Sequence, residues 1–412
     1  MVCITILLIS VSCKQEKEKQ TLHPFTQSID SLNAKLAQIH KKGFINGFGV
    51  ALVHKEGTLY ENGFGLANLK TQKNYTKNTL QNIGSVSKTL IGVALLKAQE
   101  LGKLNLDDPI NKYLPYPIAN PKFPNHTITI KHLATHTSSI LDNQYYNDKA
   151  YILKDQPKEN IKGLNENFNA PGTRISLVDF LYKMLSPKGE WYQPDAFSNN
   201  PPGTLYEYTN VGAALAGLVI EQAVGKSYAD FTTEHILQPL QMKASGWSFT
   251  TINPEQHSTL YANPTTELPF YSLITYPDGG LITSVTDLAA FLTELIKGYS
   301  AEGTLLQKQS YAQLFTEQLT EANFKERDTE DDFDDEYNSG IFMGFSPKGY
   351  VGHMGGDPGI ACYMFFNPKT NTGRILMINT TVMNSGGVQQ FYDIWNTLGD
   401  FEPILNTQKP NK

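Results

Sequence analysis

Two groups of strand-like segments sit near opposite ends of the chain, and a long stretch between them lacks that character. Such a chain completes one sheet only by bringing distant segments together. Phe48 to His54 and Thr58 to Phe64 flank Lys55-Glu56-Gly57 and predict a β-hairpin, while Tyr350 to His353, Cys362 to Phe366 and Ile375 to Asn379 predict later strands. From Asp107 to about Tyr271 the pattern is helical and loop-rich and holds most of the prolines. The expectation is an α/β fold in which residues 24–106 and 272–405 build the sheet and its helices. Residues 107–271 would be inserted as a mainly helical subdomain.

Helical spacing supports this division. Ile29, Leu32, Leu36 and Ile39 mark a helix over Phe25 to His40 with Gly43 as its stop. A second helix is predicted over Ser85 to Leu101, closed by Gly102, and another over Val388 to Leu398. With 412 residues, 40% hydrophobic and 18% charged, the chain can bury a large core. Its 34 Lys+Arg against 40 Asp+Glu give a net charge of −6, which disfavours nucleic acid as a partner. Of the cysteines, Cys3, Cys13 and Cys362, only the last lies in the body of the chain, so neither a disulfide framework nor a Cys-rich metal site is expected there.

Met1 to Val11 is almost wholly apolar, too short to span a bilayer, and runs through Ser12 and Cys13 into Lys14-Gln15-Glu16-Lys17-Glu18-Lys19. This resembles a bacterial lipoprotein signal, with Cys13 as the lipidated residue and the polar run as tether, so that residues 1–20 form leader and tether. The resemblance implies export, to the periplasm or as a lipid-anchored protein of a bacterial envelope.

The first candidate chemistry is Ser85-Val86-Ser87-Lys88, where a lysine one helical turn on can take the serine proton if its amine is neutral. Bringing a lysine from about 10.4 to near 7 takes roughly 4–5 kcal/mol. A helix N-terminus supplies only about 0.3–1 kcal/mol of that, so burial or a second cation must supply the rest. Ser85 is also a plausible plain N-cap, but it is the only serine with lysine three residues on.

A Tyr-x-Asn triplet would add a phenol and an amide. Tyr145-Tyr146-Asn147 and Tyr261-Ala262-Asn263 read as loop, whereas Tyr208-Thr209-Asn210 directly precedes a predicted helix, Val211 to Val224, with Gly225 as its stop. The third element, Gly352-His353-Met354-Gly355-Gly356-Asp357-Pro358-Gly359, lies at the end of a strand, and its glycines let backbone approach a substrate and offer an N–H to an oxyanion.

Together these elements resemble the serine β-lactamase and penicillin-binding superfamily, in its class C β-lactamase and D-alanyl-D-alanine carboxypeptidase branch. The resemblance runs from about Gly47 to Asn379 and includes Leu133-Ala134-Thr135-His136-Thr137-Ser138 and Gly279-Gly280-Leu281-Ile282-Thr283-Ser284. It implies a β-lactamase/transpeptidase-like fold, an antiparallel sheet flanked by helices plus the inserted helical subdomain. Ser85 would be the nucleophile, Lys88 and Tyr208 a shared general base, and Asn210 a contact to the substrate amide. The N–H groups of Ser85 and Gly356 would form the oxyanion hole, and His353 and Gly355 would line it, His353 standing where many members carry lysine. No metal or cofactor is implied. Lys55-Glu56-Gly57 also satisfies the Lys-x-Gly pattern but lies in the first hairpin turn.

One departure bears on substrate. Met354 stands where the branch usually places a hydroxyl that bonds a substrate carboxylate, a contact whose loss costs about 1–3 kcal/mol, so an ester, amide or differently anchored peptide is favoured. His132 and His136, four apart, lack an acidic partner at ligand spacing and read as structural. The run from Glu326 to Glu336 contains eight acidic residues and reads as a solvated loop, with a loosely held cation as the lesser reading. Cys362 reads as an inert core thiol. The expected function is an exported serine hydrolase working through an acyl-enzyme on a small-molecule or peptide substrate. The alternatives are a true β-lactamase or D-Ala-D-Ala carboxypeptidase, and a non-catalytic sensor that keeps the pocket.

Overall fold

The computed structural model describes residues 23–155 and 168–409. Cys13 and the leader and tether over residues 1–20 lie outside the described residues.

The main sheet is built from both ends of the chain, as the sequence pattern requires. Its centre is β1 (Gly47–His54) and β2 (Gly57–Asn68) from one end with β3 (Val351–Asp357), β4 (Ile360–Asn367) and β5 (Thr372–Ile378) from the other. The spatial order is Asn338–Ser339, Gly344–Phe345, β3, β4, β5, β1, β2, Lys73–Asn74, with every neighbouring pair antiparallel. β5 pairs with β1 in the register Phe48↔Ile378, Val50↔Leu376 and Leu52↔Arg374, which joins the two ends of the chain at the middle of the sheet.

Because strand side chains alternate between faces, the central strands divide their apolar residues between two layers. Phe48, Val50, Leu52, Leu376 and Ile378 face a cluster that includes Leu32 and Leu36 of α1 (Pro24–His40) and Phe391, Ile394, Trp395 and Leu398 of the C-terminal helix. Ala51, Val53, Ile375 and Met377 belong to the opposite cluster. There they join residues of α2 (Lys88–Glu100), α3 (Asn210–Val224) and α4 (Val285–Tyr299). Each fully buried Leu or Phe contributes about 1.5–3 kcal/mol, so both helical layers are held chiefly by apolar contact with one sheet. Residues 107–271 supply α3, further short helices and small strands such as Tyr151–Leu153, which pairs with Tyr271–Leu273 at the segment's end.

Three local readings differ from expectation. The C-terminal helix, α5 (Ser385–Gln408), continues past Leu398 through Pro403. Proline removes one N–H from the ladder, and burial of Phe401 and Leu405 against the sheet holds the turns on either side of it. Tyr145–Asn147 lies in a short helix, Gln144–Lys149, whose start is capped by the Asn143 side chain. The acidic run is not solvated throughout, since Asp335 is buried. Cys362 is buried in β4, and burial pushes its thiol well up.

Candidate active site

The chain enters the site at Gly84, whose φ of +53° is a conformation that L side chains rarely adopt. A Cβ there would also stand 2.9 Å from the Gly356 nitrogen, so the glycine permits both the turn and the close approach of β3. Gly84–Ser87 is a single 3₁₀ turn and the α-helix begins only at Lys88, a correction to the expectation of one regular helix from Ser85. In a 3₁₀ turn residues three apart eclipse. Lys88 Nζ accordingly lies 2.8 Å from Ser85 Oγ.

Lys88 is fully buried, with its other Nζ contacts to Asn210 Oδ1 at 2.7 Å and to the Asp278 main-chain carbonyl at 2.8 Å. A neutral amine has two hydrogens and one lone pair. Two of its neighbours here are oxygens that can only accept, so they take both hydrogens and leave the lone pair directed at the Ser85 hydroxyl. Burial lowers the lysine from its ordinary range, against the opposing pull of Asp278, Asp142, Asp357 and Asp335.

What makes Asn210 present its oxygen to Lys88 is Asp142, a residue the sequence reading missed. Asp142 Oδ2 accepts from the Asn210 side-chain amide at 2.7 Å and from its backbone N–H at 3.0 Å, and Oδ1 accepts from Val211 N–H and the Thr209 hydroxyl, both at 2.9 Å. One carboxylate thus satisfies the free N–H groups at the start of α3 and fixes the amide's orientation. Asp142→Ala is expected to cost about 1–3 kcal/mol of stability and, by releasing Asn210, roughly 100-fold in turnover of an activated ester. Thermal unfolding and steady-state kinetics check this; a loss of activity no larger than the unfolded fraction would contradict the positioning role.

Tyr208 lies between three neighbours. Its ring stacks on His136 with centroids 4.6 Å apart, Lys88 Nζ stands 5.1 Å from its centroid, and its hydroxyl lies beside the Ser85 side chain. Burial pushes the phenol well above its usual range, so it keeps its proton. His136 Nδ1 accepts the Thr209 N–H at 3.3 Å, which puts the ring proton on Nε2, and burial holds the imidazole neutral. His136 therefore belongs to the Tyr208 support. His132 is instead part of a capping box, with its Nδ1 accepting the Thr129 N–H.

On β3, His353 faces Tyr208 with ring centroids 6.2 Å apart. Its Nδ1 lies 2.6 Å from the Met354 carbonyl and 2.8 Å from Asp335 Oδ2, two acceptors, so Nδ1 bears a proton and Nε2 is the nitrogen left for other partners. Asp335 Oδ2 also accepts the Met354 N–H at 2.7 Å. This N–H defines the free edge of β3, because the neighbouring strand pairs only at Val351 and Gly352. Backbone N–H direction repeats every second residue in an antiparallel strand, so the Gly356 N–H points from the same edge. It meets the Gly84 turn beside Ser85. A Cβ at Gly355 would come within 2.1 Å of the Ile83 carbonyl, whereas Gly356 opens into free space. Met354, on the other face from His353, packs at the margin of the α1–α5 cluster.

Two further carboxyl groups lie near Ser85. Asp278 is buried, accepts a bond from the Tyr146 hydroxyl at 3.1 Å, and is pushed up to about 8 by burial, so it holds its proton at neutral pH. Asp357, half-buried, accepts from the Tyr151 hydroxyl through Oδ1 and is pushed up to about 6 by burial. Of the remaining motif candidates, Tyr261–Asn263 is a strand paired with Thr266–Glu267, and Lys55 makes an ion pair with Glu302 at 2.7 Å.

Comparison with known proteins bears on the family and the fold. A family model described as Beta-lactamase matches residues 32–398. "Protein flp" of Staphylococcus aureus (strain MW2) is 26% identical over 361 residues, covering 87% of this chain and 64% of the relative, so the chain spans less than two thirds of that protein's length. "Putative penicillin-binding protein PbpX" of Bacillus subtilis (strain 168) is 27% identical over 316 residues, 74% of this chain and 67% of the relative. Among solved structures, a "Beta-lactamase/D-alanine Carboxypeptidase from Yersinia pestis complexed with citrate" aligns at TM-score 0.66 and 16% identity, over 92% of this chain and 98% of that one, a likeness of fold. With the family model covering most of its length, the chain belongs to the Beta-lactamase family and has the β-lactamase/transpeptidase-like fold.

Proposed function

We propose that the protein is a serine hydrolase that forms an acyl-enzyme on Ser85 and acts on an ester, amide or peptide rather than on a carboxylate-anchored β-lactam. The observation that carries the reading is the buried Lys88 amine, 2.8 Å from Ser85 Oγ, with both of its hydrogens engaged by Asn210 and the Asp278 carbonyl. Lys88 takes the Ser85 proton as Oγ bonds to the substrate carbonyl carbon, and the electron pair moves to the oxygen held by the Ser85 and Gly356 N–H groups. The tetrahedral centre collapses, the bond to the leaving group breaks, and that group takes a proton relayed from Lys88 through the neutral Tyr208 phenol. Water then attacks the ester, gives its proton to Lys88, and Ser85 recovers a proton as the acyl–oxygen bond breaks. In this scheme Lys88 is the base and Tyr208 the relay, which refines the expectation of a shared base.

The substrate reading rests on the strand edge. Position 354 offers no hydroxyl, and the nearby Asp357 carboxylate repels an anion. A loss of about 2–3 kcal/mol in transition-state binding corresponds to roughly 30- to 150-fold in the specificity constant. Benzylpenicillin and cephalosporins are therefore expected to turn over slowly, and p-nitrophenyl acetate faster. Parallel kinetics with nitrocefin and p-nitrophenyl acetate test this, and nitrocefin cleavage at rates typical of a dedicated β-lactamase would establish the alternative. Export to a bacterial envelope, with Cys13 as a lipid anchor, is part of the proposal and is supported by the apolar run Met1 to Val11 and the polar run after Cys13. Labelled-lipid incorporation that disappears in Cys13→Ser tests it.

A further inference from the structure

Asp357 has no part in the acyl-transfer scheme, yet it follows directly on Gly356, whose N–H faces the reacting oxygen in that scheme. Its side chain lies near the Gly84 turn: Oδ2 is 3.4 Å from where a Cβ on Gly279 would stand, and that same point is 3.6 Å from the Gly84 carbonyl carbon. Oδ1 is held by the Tyr151 hydroxyl, and Tyr151 is fixed in turn by its strand pairing with Leu273. Oδ2 accepts a hydrogen bond from no described residue.

We propose that Asp357 is a specificity residue that binds a protonated amine on the substrate, so that the preferred acyl donors are esters or amides with a free amino group next to the scissile carbonyl. This rests on the serine hydrolase reading. Charge bookkeeping within the site favours it. Besides Tyr151, the group acting on Asp357 is Lys88, which is committed to Ser85, Asn210 and Asp278. At neutral pH Asp357 is ionised, since burial raises it only to about 6, whereas Asp278 is protonated and does not compete for a cation. A partly desolvated carboxylate without a dedicated counter-cation is unfavourable, and a substrate ammonium supplies one while making a charge-assisted hydrogen bond to Oδ2. A substrate carboxylate in the same place would meet like charge.

Asp357→Asn separates this role from a structural one, because the amide oxygen still accepts the Tyr151 hydroxyl while the charge is gone. The measurement is kcat/KM for alanine p-nitroanilide, as each enantiomer, against propionic acid p-nitroanilide, which has the same acyl skeleton without the amine. The wild-type protein is expected to prefer an alanine substrate, and in Asp357→Asn the ratio of the two specificity constants should fall roughly 10- to 100-fold. No preference for either alanine enantiomer in the wild type, or equal proportional losses on both substrates in the variant, would overturn the proposal. Failure to hydrolyse either anilide or p-nitrophenyl propionate would instead overturn the hydrolase reading, and the proposal with it.

Discussion

Ser85→Ala is expected to reduce hydrolysis of activated esters by at least about 10,000-fold, since removing a nucleophile leaves only binding and the oxyanion donors. The substitution deletes one half-buried oxygen whose contacts are Lys88 and Tyr208, and the 3₁₀ turn is maintained by backbone bonds and by the conformation of Gly84. Thermal stability should therefore change by no more than about 1 kcal/mol, the scale of a single hydrogen bond. Circular dichroism melts and p-nitrophenyl acetate kinetics on the same preparation separate the two quantities. Retention of more than a hundredth of the activity by a folded variant would remove Ser85 from the role.

Lys88→Met should lose roughly 100- to 10,000-fold in kcat, the usual span for a general base. The substitution preserves much of the volume in a fully buried site and removes an amine whose burial opposes its charged form, so function and stability need not fall together. The wild-type pH profile carries the matching signature. The base works only when deprotonated and burial lowers Lys88. Activity should thus rise with pH along an acid limb lying below the ordinary lysine range, and Lys88→Met should lose that limb with its rate. An unchanged limb in the variant would assign it to another group.

The five long strands of the sheet and the C-terminal ends of α2 and α3 were legible because each follows from local periodicity and punctuation, whereas the short edge strands and the extension of α5 past Leu398 were not. Gly225 takes a φ of +72° at the end of α3, and Gly102 one of +65° after α2. The spacing of Ser85 and Lys88 was equally local, although the 3₁₀ form of that turn was not, since it depends on β3 pressing against Gly84. The supporting carboxylates were not legible. Asp142 acts on Asn210 across 68 residues, and Asp335 reaches Met354 from an acidic run whose composition alone reads as solvated. Neither pairing has a period or a motif; each exists only once the sheet edge and α3 have been brought together. His136 illustrates the same limit, since its stacking on Tyr208 is a property of the folded middle segment rather than of its phrase.

The central claim is that one covalent intermediate forms, on Ser85, with Lys88 as the base. Peptide mapping by mass spectrometry after reaction with a fluorophosphonate probe tests it most directly. The account expects a single adduct on the peptide containing Ser85, absent in Ser85→Ala and formed at least about 100-fold more slowly in Lys88→Met. An adduct on a different serine, or labelling of Ser85 at an unchanged rate when Lys88 is methionine, would contradict it.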